Sequence, residues 1–203
     1  MAKNKIIGVI HGRFQGLHNG HMEYLEAALS RCDFLYIGIT NFDITEEKEV
    51  NEVDTSRFLL SHNPFTFYER CEMIKLALLE KGYSLDRFGF IPFPIDSFKK
   101  VETEEEIQAF RRRMFNFAPS NAIYFVTIYD DWGKDKYNKL IKLVGESQVD
   151  LMWVRPLEQK PISGTLIREY IIQDKDWKDL VPHAVYQYII DNHLDERIKK
   201  ICA

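Results

Sequence analysis

Cysteine is scarce, no apolar run is long, and positive charge is not in excess; each shortage removes a class of protein. Among 203 residues there are three cysteines, Cys32, Cys71 and Cys202, scattered and odd in number. They build neither a disulfide framework nor a zinc site, and they suit a reducing compartment, so cytoplasmic residence is expected. No apolar stretch reaches the length of a transmembrane helix, and residues 1–5 lack the shape of a signal peptide. With 27 basic against 31 acidic residues the formal net charge is −4, so a broad nucleic-acid footprint is not expected, although a local basic pocket is compatible with it. There is no internal repeat and no Ser/Gly-rich linker. What remains is 45% apolar and 29% charged, enough to bury a sizeable core.

Short apolar runs alternate with helical patterns. Residues 5–10, 34–40, 88–93, 122–128 and 149–154 read as strands. Residues 19–31 carry Met22, Leu25, Ala28 and Leu29 at helical spacing. Thr66 with Glu69, and Thr103 with Glu106, form capping boxes before further helices, the first running from 67 to 81 with Gly82 as its stop. Beyond residue 154 only helical patterns appear, over 164–173 and 182–198. This alternation predicts an α/β fold: a Rossmann-like, doubly wound, parallel five-stranded sheet with helices on both faces and a helical C-terminal extension. Residues 1–203 are read as a single domain, with 162–203 as its helical C-terminal part. In such a sheet ligands sit beyond the carboxyl ends of the strands. Residues 41–64 interrupt the alternation. Their acidic first half (Glu46, Glu47, Glu49, Glu52) reads as solvated loop, and 54–66 as a segment that could cover a ligand.

The first chemistry-bearing stretch follows the first strand directly: Gly12-Arg13-Phe14-Gln15-Gly16-Leu17-His18-Asn19-Gly20-His21. Gly12 and Gly16 permit a tight turn, and Asn19 can cap the helix starting near Gly20. The free N–H groups of that helix start, with Arg13, His18 and His21, describe a polyphosphate cradle. The stretch is neither a Walker loop nor G-x-G-x-x-G. Two other readings are weaker. A metal pair at His18 and His21 lacks an evident partner set, and two ordinary surface histidines fit poorly with a strand-to-helix turn.

H-x-G-H after the first strand resembles the signature of the nucleotidyltransferase superfamily, which includes nicotinamide mononucleotide adenylyltransferases, pantetheine-phosphate adenylyltransferases and cytidylyltransferases. The G-R-F-Q at Gly12–Gln15 is most similar to the archaeal-type nicotinamide mononucleotide adenylyltransferases. Asn63-Pro64-Phe65-Thr66-Phe67-Tyr68-Glu69-Arg70 resembles their N-P-F-T-x-x-E-R segment; its residues already have structural jobs, and none is assigned to catalysis. Ile162-Ser163-Gly164-Thr165-Leu166-Ile167-Arg168 resembles I-S-S-T-x-I-R in its S-G-T form. Ser163 can cap a helix, Thr165 adds a hydroxyl, and Arg168 lies on the same helix face. The run from Asp174 to Pro182 is similar to the family's closing segment.

One stretch departs from the adenylyltransferase pattern. Tyr129-Asp130-Asp131-Trp132-Gly133-Lys134, after the fourth strand, looks more like the G-D-D-W-x-G-K of glycerol-phosphate cytidylyltransferases. Trp132 could stack on a base, and Asp130 or Asp131 could accept from ribose or an exocyclic amine.

The resemblance implies nucleotidyl transfer with release of pyrophosphate. It places His18, His21, Arg13 and Arg168 as catalytic, and Gly12, Phe14, Gln15, Gly20, Ser163, Gly164 and Thr165 against the nucleotide. Substrate candidates are Thr40, Asn41, Asp130, Asp131 and Trp132, together with Arg57 or His62, between which the sequence does not choose. Mg²⁺ is expected to arrive with the triphosphate and without protein ligands. ATP with nicotinamide or nicotinate mononucleotide is the first substrate expectation. CTP with a phosphorylated or phosphonylated small molecule is the second, and a non-catalytic nucleotide-binding module the third. Partners are expected to be these small molecules and further copies of the chain, not nucleic acid or membrane.

Overall fold

A computed structural model describes residues 5–43, 59–94, 103–159 and 162–202. Five strands form one sheet: β1 (Ile7–Gly12), β2 (Phe34–Ile39), β3 (Phe88–Pro92), β4 (Ile123–Ile128) and β5 (Val149–Val154). Their order is β3-β2-β1-β4-β5, and every pairing is parallel. Seven α-helices accompany them among the described residues: α1 (Asn19–Leu29), α2 (Phe67–Glu80), α3 (Glu104–Phe115), α4 (Asp131–Val144), α5 (Gly164–Ile172), α6 (His183–Asp191) and α7 (Leu194–Cys202). This is the expected Rossmann-like α/β fold. β1 starts two residues later than the apolar run implied, and it ends on Gly12 at the head of the first motif.

By contacts the chain falls into two units. The first holds the sheet with residues 23–40 and 84–160. Alternation along its strands decides which side chains face which helices. Val9, Tyr124 and Val126 point to one face, where Phe110 and Met114 of α3 and Leu140, Leu143 and Val144 of α4 complete the core. Gly8 points to the other. A Cβ there would lie 2.6 Å from the Phe125 ring and 2.9 Å from Cys32 Sγ, and that thiol bonds the Ala28 carbonyl of α1 at 3.3 Å. Strand order reverses beside β1, between β2 on one flank and β4 on the other. The residues that follow Gly12 and Ile128 therefore leave the sheet at the topological switch, where open α/β sheets bind ligands.

The second unit holds residues 13–22, 41–83 and 161–203. Thr66 and Glu69 make the expected capping box at the start of α2. Arg197 of α7 forks onto the Glu69 carboxylate (2.8 and 2.5 Å) and donates to the Pro64 carbonyl (2.7 Å). Burial alone would raise the Glu69 carboxyl, but the Arg197 and Thr66 hydrogen bonds outweigh it and hold it below its usual range. One expectation is corrected here. Residues 182–198 do not form a single helix, because the chain breaks after Asp191, with His193 in the left-handed region (φ 53°). The break lets Val185 and Ile189 of α6, and Leu194 and Ile198 of α7, all turn inward.

His11 of β1 is buried and stacks on Phe93 at 4.4 Å. Burial, with the charge of Lys136 as a second cause, holds its imidazole well below its ordinary value of 6.5. The unfolded chain takes up this proton where the folded chain resists it, so the contribution is full above pH 6.5 and is lost as the pH falls below it. The melting temperature is expected to drop between pH 6.5 and 5, by up to about 1.4 kcal/mol of stability per pH unit. Thermal melts of His11→Leu should show a flatter pH dependence over that range; an unchanged slope would contradict the assignment.

Candidate functional site

Residues 13–21 and 163–168 belong to the same unit and meet in it. Gly16 turns with φ 89°, and an ideal Cβ on it would sit 3.5 Å from the Gly164 carbonyl. The approach is closer on the other side. A Cβ on Gly164 would lie 2.3 Å from the Gln15 carbonyl oxygen, which explains why this helix start reads S-G-T. That same carbonyl accepts from Arg168 Nη1 at 3.0 Å. Ser163 caps α5, its Oγ accepting from Leu166 N at 3.1 Å. Thr165 is exposed, and its hydroxyl accepts from Arg168 Nη2 at 3.2 Å. Ser163, Gly164, Thr165 and Arg168 are thus one local cluster at the head of a helix.

The expectation that Asn19 caps α1 is corrected. Asn19 is the first helical residue, and its side-chain amide donates to the Asp179 carbonyl at 2.9 Å. The cap is His18: its carbonyl accepts from the His21 and Met22 amides (2.8 and 3.2 Å), and its Nδ1 accepts from the His21 amide at 3.2 Å. A neutral imidazole that accepts at Nδ1 carries its proton at Nε2. The cap therefore assigns the tautomer and leaves Nε2 as the N–H donor of the ring. His21, one helical turn on, stacks on His18 at 3.7 Å, and the Phe14 ring meets it edge-on at 5.1 Å. This is the physical content of H-x-G-H: a cap residue and a residue three positions later share one face at a helix N-terminus.

The other candidates divide by location. The Gln15 side chain is buried and engaged with Phe65, donating to its carbonyl (2.9 Å) and accepting from its amide (3.0 Å). Phe14 is buried, with φ 50°, a conformation that costs a bulky residue about 1–2 kcal/mol. Asn41, just past β2, is also buried and left-handed at φ 48°. Thr40 N continues the sheet, donating to the Gly12 carbonyl at 2.9 Å. His62 sits in a short turn over Leu60–His62. Arg57, and the first part of the segment over 54–66, lie outside the described residues. In the first unit, Asp130 Oδ1 caps α4 by accepting from Gly133 N at 2.7 Å. Asp131 is exposed, and Trp132 is half exposed in the first turn of α4, with Lys136 Nζ 5.7 Å from its ring centre.

Arg70 is a residue to which the sequence reading gave no role in the site. It is fully buried, and its guanidinium donates to the carbonyls of Arg13 (2.9 Å), Asn41 (2.8 Å) and Thr66 (3.1 Å). A signal was present: Arg70 sits at the head of the apolar stripe of α2, in step with Met73, Ile74, Ala77 and Leu78, where a charge is out of place.

The electrostatics of the cluster point one way. The Arg70 guanidinium is pulled down to about 10, chiefly by burial, with Cys71 and Glu69 opposing the shift and the Arg13 charge adding to it. Arg168 is lowered for the same first reason, burial, with Arg13 again the next cause. Two buried cations thus feel the charge of a third, Arg13. Such an arrangement is relieved by a multiply charged anion. Among the described residues no group of three or more His, Cys, Asp or Glu could hold a metal ion.

Several known proteins are similar to this chain. A family model described as cytidylyltransferase-like matches residues 9–170. A phosphonoformate cytidylyltransferase of Streptomyces viridochromogenes is 43% identical over 95% of this chain and 95% of its own. A nicotinamide-nucleotide adenylyltransferase of Pyrococcus horikoshii is 30% identical over 97% of this chain and 89% of its own. Among solved structures, a bifunctional NMN adenylyltransferase/ADP ribose pyrophosphatase from Francisella tularensis superposes with a TM-score of 0.63 at 18% identity. The match covers 97% of this chain and 52% of that one, a likeness of fold. No described helix is long and apolar enough to cross a membrane.

If the cluster binds a multiply charged anion, inorganic tripolyphosphate should stabilise the protein. At a hundredfold excess over its Kd the gain is about 2.7 kcal/mol, or roughly 5–10 °C in a thermal melt for a chain of this size. Gly164→Ala, which forces the Gln15 carbonyl aside, should lower the melting temperature and shrink that shift. A full shift in the variant would show that the contact does not shape the anion site.

Proposed function

We propose, for a chain that belongs to the cytidylyltransferase-like family, that it transfers CMP from CTP to an oxygen of a small phosphonate- or phosphate-bearing acceptor and releases pyrophosphate. The observation that supports the transfer is that Gln15 and Gly16, in the turn between Arg13 and His18, meet the Ser163–Arg168 helix start, with the Gln15 carbonyl joining the two elements. Support for CTP and a phosphonate comes from the relative that is 43% identical over nearly the whole chain, and from the Asp130–Lys134 segment. ATP with nicotinamide or nicotinate mononucleotide becomes the second reading. It is favoured by G-R-F-Q, by the S-G-T form and by relatives such as the Pyrococcus horikoshii enzyme at 30% identity.

In this mechanism the acceptor oxygen attacks the α-phosphorus in line. The bond from that phosphorus to the bridging oxygen breaks, and the electron pair leaves with pyrophosphate. No covalent nucleophile is needed; alignment and charge neutralisation supply the rate. His18, its tautomer set by the cap, donates from Nε2 to a non-bridging phosphate oxygen, and His21 acts from the same face. Arg13 and Arg168 hold the outer phosphates through planar, multi-donor guanidinium groups. The N–H groups at the start of α5 receive the leaving pyrophosphate. Were Mg²⁺ to accompany the triphosphate, it would offset charge on the phosphate oxygens, with Arg13, Arg168, His18 and His21 binding the phosphates themselves.

Pyrophosphate release distinguishes the readings. CTP with phosphonoformate is expected to support turnover at least tenfold faster than ATP with nicotinamide mononucleotide; the reverse order would establish the second reading. His18→Ala and His21→Ala should each lower kcat roughly 10²–10³-fold while tripolyphosphate still binds. An unchanged rate in both would support a nucleotide-binding module instead.

A further inference from the structure

We propose that Arg70 is a positioning residue that sets the separation of the two turns leaving β1 and β2, so that it serves the transfer step more than the binding of either substrate. The inference rests on the nucleotidyl-transfer reading above. The guanidinium presents three N–H groups in one plane to three carbonyls from separate segments: Nη1 to Arg13, Nη2 to Asn41 and Nε to Thr66. Arg13 follows β1 and precedes the left-handed Phe14, and Asn41 follows β2 and is itself left-handed. Both turns are therefore strained where Arg70 grips them, and strained turns persist only where the surroundings over-determine them.

The base from which Arg70 reaches is itself held. Thr66 caps the helix that carries Arg70, Glu69 closes the box, and Arg197 clamps Glu69 and the Pro64 carbonyl. The two bonds of Gln15 to Phe65 hold the first turn to the same base. A buried cation of this kind is a poor way to gain stability, since apolar residues fill such space at least as well. A fixed fork is a good way to keep two turns in register. Lysine keeps the charge but has one nitrogen and no planar fork, so it cannot span the three carbonyls.

Arg70→Lys and Arg70→Met test this in the full chain, with folding verified by circular dichroism and pyrophosphate release measured at saturating concentrations of both substrates. Arg70→Lys, which retains the buried charge, is the informative variant if Arg70→Met does not fold. The expected result is a kcat about a hundredfold lower, the loss that a misplacement of about 1 Å can cause, with both KM values within about threefold of wild type. Adding Arg13→Ala to Arg70→Lys should then cost much less than Arg13→Ala costs alone, because both act through one turn. A folded Arg70→Lys protein with wild-type kcat, or effects that multiply with those of Arg13→Ala, overturns the inference. A wild-type protein that neither binds tripolyphosphate nor releases pyrophosphate overturns the functional reading instead.

Discussion

Arg168 and Gln15 stand 153 residues apart in the chain, and a 3.0 Å hydrogen bond joins them. That bond, with Gly164 pressed against the same carbonyl, brings the turn after the first strand to the head of α5. Without it each piece is ordinary: a capped helix near the end of the chain, and a glycine turn near its beginning. With it, the turn that carries Arg13 and leads to two stacked imidazoles is joined to Arg168, and the proposed chemistry rests on that junction. Much of the second unit is built to hold the arrangement, from the Gln15–Phe65 pair of bonds to the Arg197 clamp on Glu69.

The burial of charge is what makes the proposed site suited to an anion and not merely polar. A guanidinium removed from water loses hydration that carbonyl dipoles return only in part. Arg70 and Arg168 both show this loss, and both feel Arg13 as well. Under the transfer proposed above, a triphosphate would offset that repulsion, and the attraction between these arginines and the phosphate oxygens would grow as charge gathers on the departing group.

Much of this was legible in the sequence. Alternating apolar runs gave the parallel sheet, because a strand buried on both faces has no polar side to show. Thr66–Glu69 and Ser163 announced helix starts because an orphan amide needs a nearby oxygen. What stayed hidden depended on distant contacts. Asn19 looked like the cap because asparagine is the better intrinsic cap, yet its amide is drawn to the Asp179 carbonyl and the imidazole of His18 takes the role. The break at His193 could have been read from spacing: Ile189 and Leu194 are five apart, which carries the stripe off one continuous helical face. Arg70 was hidden by its setting in a motif whose other members are plainly structural. The order of substrates was beyond motif reading, since G-R-F-Q and the Asp130–Lys134 segment point to different nucleotides.

The long sequence separation between the two halves of the anion site has a consequence for synthesis. The first half leaves the ribosome with residues 13–21, and its counterpart follows some 150 residues later, roughly 10–30 s at ordinary elongation rates. During that interval the nascent polypeptide has strands and a glycine turn but nothing to close over a nucleotide. On the function proposed above, prematurely terminated chains that stop before α5 would therefore not sequester cellular triphosphates.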